Sequence, residues 1–229
     1  MKTQFAFMLL AASALWGQAQ PATAGWKEFS IGPPTRMQAG WPREGIRADG
    51  VPLKRAIARA YGVPENRVFG PDWLADVRYA ITGIVDNPKD FQPLFQKELA
   101  NQFHMLAHRE SKVVPVFVLK PLDTPAKMGP AVNPGTSTAS GSSDGFSSIR
   151  YPRATVETFA NALGDVVGRP VIDETNLDNS FEFILRWKGG STSSLQTAVK
   201  SQLGLDLSDE RRAVDLLVID HIEKLNFSK

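Results

Sequence analysis

The sequence predicts an α+β protein made of two related modules, each a small, mostly antiparallel sheet with two helices, joined by a flexible linker. Three observations predict it. Apolar residues recur at helical spacing in four stretches, and at a spacing of two in stretches between them. The order of these elements in the first half returns in the second. Between the halves runs a segment dominated by Pro, Gly, Ser and Thr.

Taken in chain order, Lys2, the apolar run Phe5 to Trp16 and the small residues Ala22-Thr23-Ala24 have the make-up of a secretory signal peptide over residues 1–24. Cleavage is expected after Ala24, with Gln18-Ala19 as a competing position. The run is too short to span a membrane, which takes about 20 apolar residues, and no later segment is long and apolar enough to anchor the chain. The first module is expected over 25–122. Its first helix places Leu53, Ala56, Ile57, Ala60 and Tyr61 on one face, behind Pro52 and ahead of Gly62. A strand starts at Tyr79 and Ile81. A second helix from about Asp90 carries Phe91, Phe95, Leu99 and Phe103 on one stripe, and Val113 to Leu119 is a strand dense enough to be buried on both faces.

Residues 123–148, with Pro125, Pro130, Pro134 and the stretch Gly135 to Ser143, bury little apolar surface and are expected to form a linker without regular structure. The second module, 149–229, repeats the plan. Thr155 is a natural N-cap for a helix bearing Val156, Phe159, Ala160 and Leu163, which Gly168 stops. Phe181, Phe183, Leu185 and Trp187 alternate with Glu182 and Arg186 as in a half-buried strand. Leu195, Ala198, Val199 and Leu203 form a fourth helix ending at Gly204, and Val214 to Ile219 is a second dense strand.

The repetition holds residue by residue. At a spacing of 103, Ile46-Arg47 meets Ile149-Arg150, Leu53 meets Val156, Val68 meets Val171 and Leu74 meets Leu177. At 102, Tyr79 and Ile81 meet Phe181 and Phe183; at 100, Phe95, Leu99, Phe103, Val114, Val116 and Val118 meet Leu195, Val199, Leu203, Val214, Leu216 and Val218. Slippage of three residues is what short loop deletions produce. The expected order in each half is strand, helix, two strands, helix, two strands.

Composition narrows the function classes. The 229 residues hold 26 Lys+Arg against 24 Asp+Glu, and loss of Lys2 with the leader leaves 25 against 24. Such a balance gives no excess of cations to neutralise phosphates, so nucleic acid is not an expected partner. There is no cysteine. An exported chain of this kind depends on packing alone, and has neither a thiolate nucleophile nor a Cys-ligated metal.

Histidine and carboxylates are what is left for chemistry, and the sequence has 3 His. His104 and His108 form an H-x-x-x-H pair that could share a zinc if it lay on a helix, but Met105 occupies the place of the zincin general base. The alignment of the halves puts the pair in the strand that follows a helix. There the rings would stand about 13 Å apart at roughly 3.3 Å per residue, so a surface strand is the better reading. His221 follows Asp220, and neighbours on a strand point to opposite faces, so that carboxylate cannot orient that imidazole. No serine lies in G-x-S-x-G, and no glycine cluster cradles phosphate. Asp173, followed by Glu174, is a binding candidate whose plainer role is in a turn. Trp73, in Gly70-Pro71-Asp72-Trp73-Leu74, is either a binding aromatic or a lid over its module's core.

Several of these stretches together resemble a known family. Phe29-Ser30-Ile31, Gly45 to Val51 before Pro52-Leu53, Tyr61-Gly62-Val63, Gly70 to Leu74, Tyr79-Ala80-Ile81, Phe103-His104, His108-Arg109-Glu110, Val114-Pro115-Val116, Gly168 to Asp173, Phe181-Glu182-Phe183 and Val218 to Lys224 are similar, in order and over nearly the whole chain past the leader, to the soil-associated family of secreted bacterial proteins with a domain of unknown function. Members are sometimes fused to antirepressor-type membrane metallopeptidases. The resemblance implies an exported protein without an assigned activity or catalytic residue, and hints at extracytoplasmic sensing or docking. The segment Thr175 to Asp178 departs from the family's Thr-Gly-Leu pattern, which affects a turn. A helix followed by a short strand also resembles the small periplasmic modules of secretins and outer-membrane receptors, a likeness of fold only.

These readings lead to an exported, non-enzymatic binding or sensing protein of the cell envelope, without cofactor, located in the periplasm or secreted. The expected partner is an envelope protein or peptide, or a small ligand held between the modules. The competing expectation is a metal- or carboxylate-dependent extracytoplasmic hydrolase using His104, His108, Asp173 or His221.

Overall fold

The computed structural model of the chain describes residues 25–131 and 139–227. The expected leader lies outside them. Twelve strands and four α-helices follow one another as β1 (Glu28–Gly32), β2 (Gln38–Gly40), β3 (Gly45–Pro52), α1 (Leu53–Tyr61), β4 (Val68–Phe69), β5 (Arg78–Ile84), α2 (Phe91–Phe103), β6 (Leu106–Pro121), β7 (Gly129–Pro130), β8 (Ala139–Ser143), β9 (Phe146–Ala154), α3 (Val156–Val167), β10 (Val171–Asp173), β11 (Phe181–Lys188), α4 (Thr192–Ala198) and β12 (Leu205–His221). The fold is α+β with mostly antiparallel sheets, and among the described residues no helix is long and apolar enough to cross a membrane.

Helix boundaries follow local chemistry. Pro52 precedes α1, and Gly62 ends it in the left-handed region at φ 63°. Thr155 Oγ1 accepts from the Thr158 N–H at 3.2 Å and caps α3, while Gly168 closes it at φ 69°. Ser191 caps α4, which passes into a π-helical turn, Val199–Leu203, closed by Gly204. At the end of α2 the same left-handed position is held by His104, at φ 47°. A side chain with a Cβ is strained there by about 1 to 2 kcal/mol.

Three four-stranded sheets organise the described residues. The first has the order β1-β5-β3-β2, another β7-β11-β9-β8, and the central one β10-β6-β12-β4. The central sheet is where sequence reasoning falls short. Two strands per half are expected after the second helix, but each half has one long strand, of 16 residues in β6 and 17 in β12. These pair antiparallel from Leu205 opposite Pro121 to His221 opposite Leu106. Nor are the long strands buried throughout on both faces, since Val113 faces solvent.

Each half supplies a short parallel edge to the other's long strand: Val68 lies opposite Leu217, and Val171 opposite Phe117. The packing is exchanged in the same way. Leu217, Ile219 and Ile222, late in the chain, complete the core built by α1, α2 and the first sheet. Phe117 and Leu119, from the first half, enter the core of α3, α4 and the second half's sheet, where Phe159 and Phe183 stack 4.2 Å apart. Asn66, buried, ties the halves again: its backbone N–H and Nδ2 donate to Asp165 Oδ1 at 2.9 and 2.7 Å.

The segment 123–148 is not devoid of regular structure. β8 and the start of β9 pair from Ser143 opposite Phe146, and β7 pairs with β11. An edge strand needs backbone N–H and C=O groups rather than apolar side chains, so the Ser/Gly composition that argues against a core does not argue against a sheet edge. Residues 132–138 fall outside the described part.

Candidate functional site

The first sheet packs one face on its core and leaves the other open. Tyr79 and Ile81 of β5 point inward and are buried, so the alternation of a strand puts Ala80 and Thr82 outward. Ile46 and Ala48 of β3 alternate in the same way with Arg47 and Asp49. A row crosses this outer face: Ser30 opposite Thr82, Thr82 opposite Arg47, Arg47 opposite Gly40. Gly40, Arg47, Asp49, Ala80 and Thr82, with Gln38, Trp41 and Pro42 at the β2 end, line a groove of about 730 Å³.

Two of the groove's polar groups, Arg47 and Asp49, already have partners. Arg47 donates two hydrogen bonds to the Glu28 carboxylate, at 2.8 and 3.3 Å. Asp49 accepts from Thr35 Oγ1 at 2.6 Å and from the Thr35 N–H at 2.8 Å. These bonds hold its carboxyl below the ordinary carboxylate range, so it is an ionised acceptor at neutral pH. Trp41 is 41% exposed and forms a flat apolar wall. The register slips between Ala48 and Val51, where Gly50 adopts φ 82°; a Cβ there would lie 2.4 Å from the Arg36 carbonyl. That close approach brings the Thr35 loop down onto Asp49.

The three histidines gather elsewhere, at one end of the central sheet. His108 Nδ1 lies 2.7 Å from Asp220 Oδ2, which sits in the bulge between Ile219 and His221. The Asp220 hydrogen bond raises the imidazole's pKa above its usual 6.5, with a further push from the Glu110 carboxylate 3.8 Å from Nε2. The Glu223 carboxylate lies between the other two rings: Oε2 is 3.0 Å from His104 Nδ1, and Oε1 is 3.2 Å from His221 Nε2. Both contacts, His104's first, hold the Glu223 carboxyl below its ordinary range.

Residues 222–227 are laid over the first core at this point. The Glu223 N–H donates to the Phe103 carbonyl at 2.8 Å, and the Leu225 N–H to Tyr79 Oη at 3.1 Å. Lys224 Nζ stands 4.9 Å from the centre of the Trp73 ring, and Phe227 meets Tyr79 edge-on at 6.0 Å. Trp73 packs against the first core with this cation over its face. His104, His108, His221 and Trp73 are thus brought to one region, yet His104 and His108 have different carboxylate partners. Among the described residues no three His, Cys, Asp or Glu side chains converge as ligands for a metal ion.

Asp173 lies apart, on β10. Its Oδ1 accepts from the Thr175 N–H at 2.9 Å and Thr175 Oγ1 at 2.7 Å, which makes it the organiser of a tight turn. A cleft of about 330 Å³ does straddle the halves, where Val68 to Ala75 meets Gly168. The larger groove was not legible among the candidates. Its signal was Trp41-Pro42 in a Gly-rich stretch where no helix or core strand was being built. For the histidines, the missed partners were Glu223 and the cross-strand Asp220.

Fold and site together define an α+β protein with an open sheet face and a histidine–carboxylate cluster at the far end of its central ladder. The chain belongs to a family of proteins of unknown function, DUF3738, matched over residues 54–222. The groove is therefore built from β5, inside the matched stretch, and from residues 38–49 that precede it. No curated protein and no solved structure matches the chain.

Proposed function

We propose that this is an exported, non-enzymatic binding or docking protein of the bacterial cell envelope that engages its partner through the groove on the first sheet. The observation that carries this reading is the groove itself, about 730 Å³ in volume, with an aromatic wall and with Arg47 and Asp49 already paired on a sheet face. Export rests on the Phe5 to Trp16 run and the Ala22-Thr23-Ala24 ending, and the family resemblance adds the soil-bacterial, secreted setting. The partner is an envelope component: a protein, a peptide or a small ligand. A photo-crosslinking residue at Gln38 in living cells tests the reading. Capture of a defined envelope component from Gln38, and not from an outward position such as Lys97, is the expected result; equal capture from both overturns it. A protein N-terminus at Gly25, read by mass spectrometry of the exported chain, checks the address.

The hydrolase reading keeps one observation in its favour, the surface His108–Asp220 pair at 2.7 Å. Stoichiometric zinc or iron in the purified protein, or turnover lost in Asp220→Asn, would favour it.

We also read the two halves as copies of one unit. In favour are the recurrence of strand, helix, short strand, strand, helix, long strand, and the matching exchange of Val68 with Leu217 and Val171 with Phe117, since both members of each pair shift by 103 or 100 residues.

A further inference from the structure

We infer that the groove on the first sheet takes an uncharged oligosaccharide; this rests on the binding-protein reading and names the ligand class for that site. The floor carries the small side chains Gly40, Ala80 and Thr82, with Arg47 between Gly40 and Thr82 drawn to Glu28 in a two-bond pair. Trp41 stands at one side as an apolar plane. A sugar ring is built to match such a surface: its C–H face packs on an aromatic ring, and its rim of hydroxyls, each both donor and acceptor, needs partners of both kinds. The groove offers the Asp49 carboxylate as acceptor, the Arg47 guanidinium as donor, and Gln38 and Thr82 as either.

Charge selects against the other ligand classes. Arg47 is already matched by Glu28, in a two-bond pair at 2.8 and 3.3 Å, and Asp49 is held ionised by Thr35. Arg47 is the cation among the groove's lining residues and Arg36 stands near Asp49, so a phosphate or a uronate would have to displace a carboxylate already in place to reach either one. An extended peptide would pair along the β2 edge. That edge is three residues long and runs into Trp41-Pro42, and Pro42 has no N–H to offer.

The second half's sheet supplies an internal comparison. At a spacing of 102, Ala80 and Thr82 correspond to Glu182 and Ile184. Glu182 holds Arg150 across that face at 2.9 Å, Ile184 stands 56% exposed, and Phe146 is covered by Arg186 at 4.3 Å. Arg47 with Glu28 answers to Arg150 with Glu182, so the two faces differ at Ala80 and Thr82, small in the first half, against Glu182 and Ile184 in the second.

The test is isothermal titration of the purified protein with cellohexaose, chitohexaose and maltohexaose, with polygalacturonate and an extended octapeptide as comparators. Saturable binding of at least one neutral hexamer is expected, weakened at least tenfold by Trp41→Ala. It should be abolished by the pair Ala80→Glu with Thr82→Ile, which copies the second sheet's face and keeps the circular dichroism unchanged. If no neutral hexamer saturates, or if the filled groove binds as well as the open one, the inference falls. Capture of a polypeptide from Gln38 in cells would overturn the oligosaccharide while leaving the binding reading in place. No hexamer bound and nothing captured would remove both.

Discussion

Leu217 and Phe117 each complete a core made mostly by the opposite half, and truncating either one tests how far the halves depend on each other. Leu217 is 1% exposed within the first core. Phe117 is 3% exposed within the second, with the Arg169 guanidinium 4.0 Å from its ring centre. Leu→Ala in a packed core costs about 2 to 5 kcal/mol and Phe→Ala about 3 to 5 kcal/mol. In a chain of this size each kcal/mol moves the melting temperature by roughly 2 to 4 °C, so either substitution should lower it by about 5 to 15 °C. The assay is differential scanning calorimetry, paired with hydrogen exchange resolved to α1 and α3. Because β6 and β12 are shared, Leu217→Ala should lower one common transition and reduce protection in both helices. Two separated transitions, with only the first displaced by Leu217→Ala and only the second by Phe117→Ala, would refute the exchanged packing as the source of cooperativity.

Other outcomes follow from named contacts. His108 has its pKa raised in the folded protein by Asp220, so the stabilisation it contributes is complete below the unfolded value near 6.5 and is lost as pH rises through the folded value. The protection of the Glu223 and Leu225 amides, corrected for the base-catalysed rise in intrinsic exchange, should accordingly fall from mildly acidic to mildly alkaline pH, and Asp220→Asn should shift the imidazole titration, followed by NMR, back toward 6.5; an unchanged titration would contradict the pairing. Gly45→Ala would place a Cβ 1.9 Å from the Gly83 carbonyl at a backbone φ of 152°, and a loss of about 2 kcal/mol or more in chemical denaturation is expected. Asp165→Ala strips the Asn66 N–H of its acceptor in a buried setting and leaves Nδ2 with the Asn161 carbonyl alone, which should cost about 1 to 3 kcal/mol, whereas Asp165→Asn, which keeps an acceptor oxygen, should cost less.

Much of the architecture is readable from residue spacing because it is dictated locally. Phe91, Phe95, Leu99 and Phe103 need only a helix to form a stripe, and Gly62, Gly168 and Gly204 need only the left-handed region to stop one. What is not readable depends on which strand lies beside which. Val68 and Val171 carry the same apolar signal whether they pair within their own half or, as they do, with β12 and β6. Asp220 and His221 show why the histidine cluster was only half visible. Adjacency argued that Asp220 could not serve His221, and it serves His108 instead, a contact across 112 positions in sequence. Trp41 carried no helical or strand period at all, so its place in the groove depended on a neighbouring strand, β5, far along the chain.

The exchanged long strands also bear on the order in which the chain can become a protein. Residues from Leu53 to Phe103 leave the ribosome well before Leu217, Ile219 and Ile222, the side chains that close over them. Until that later strand has been made, the apolar flank of the earlier half has nothing to close over it and needs protection from its neighbours.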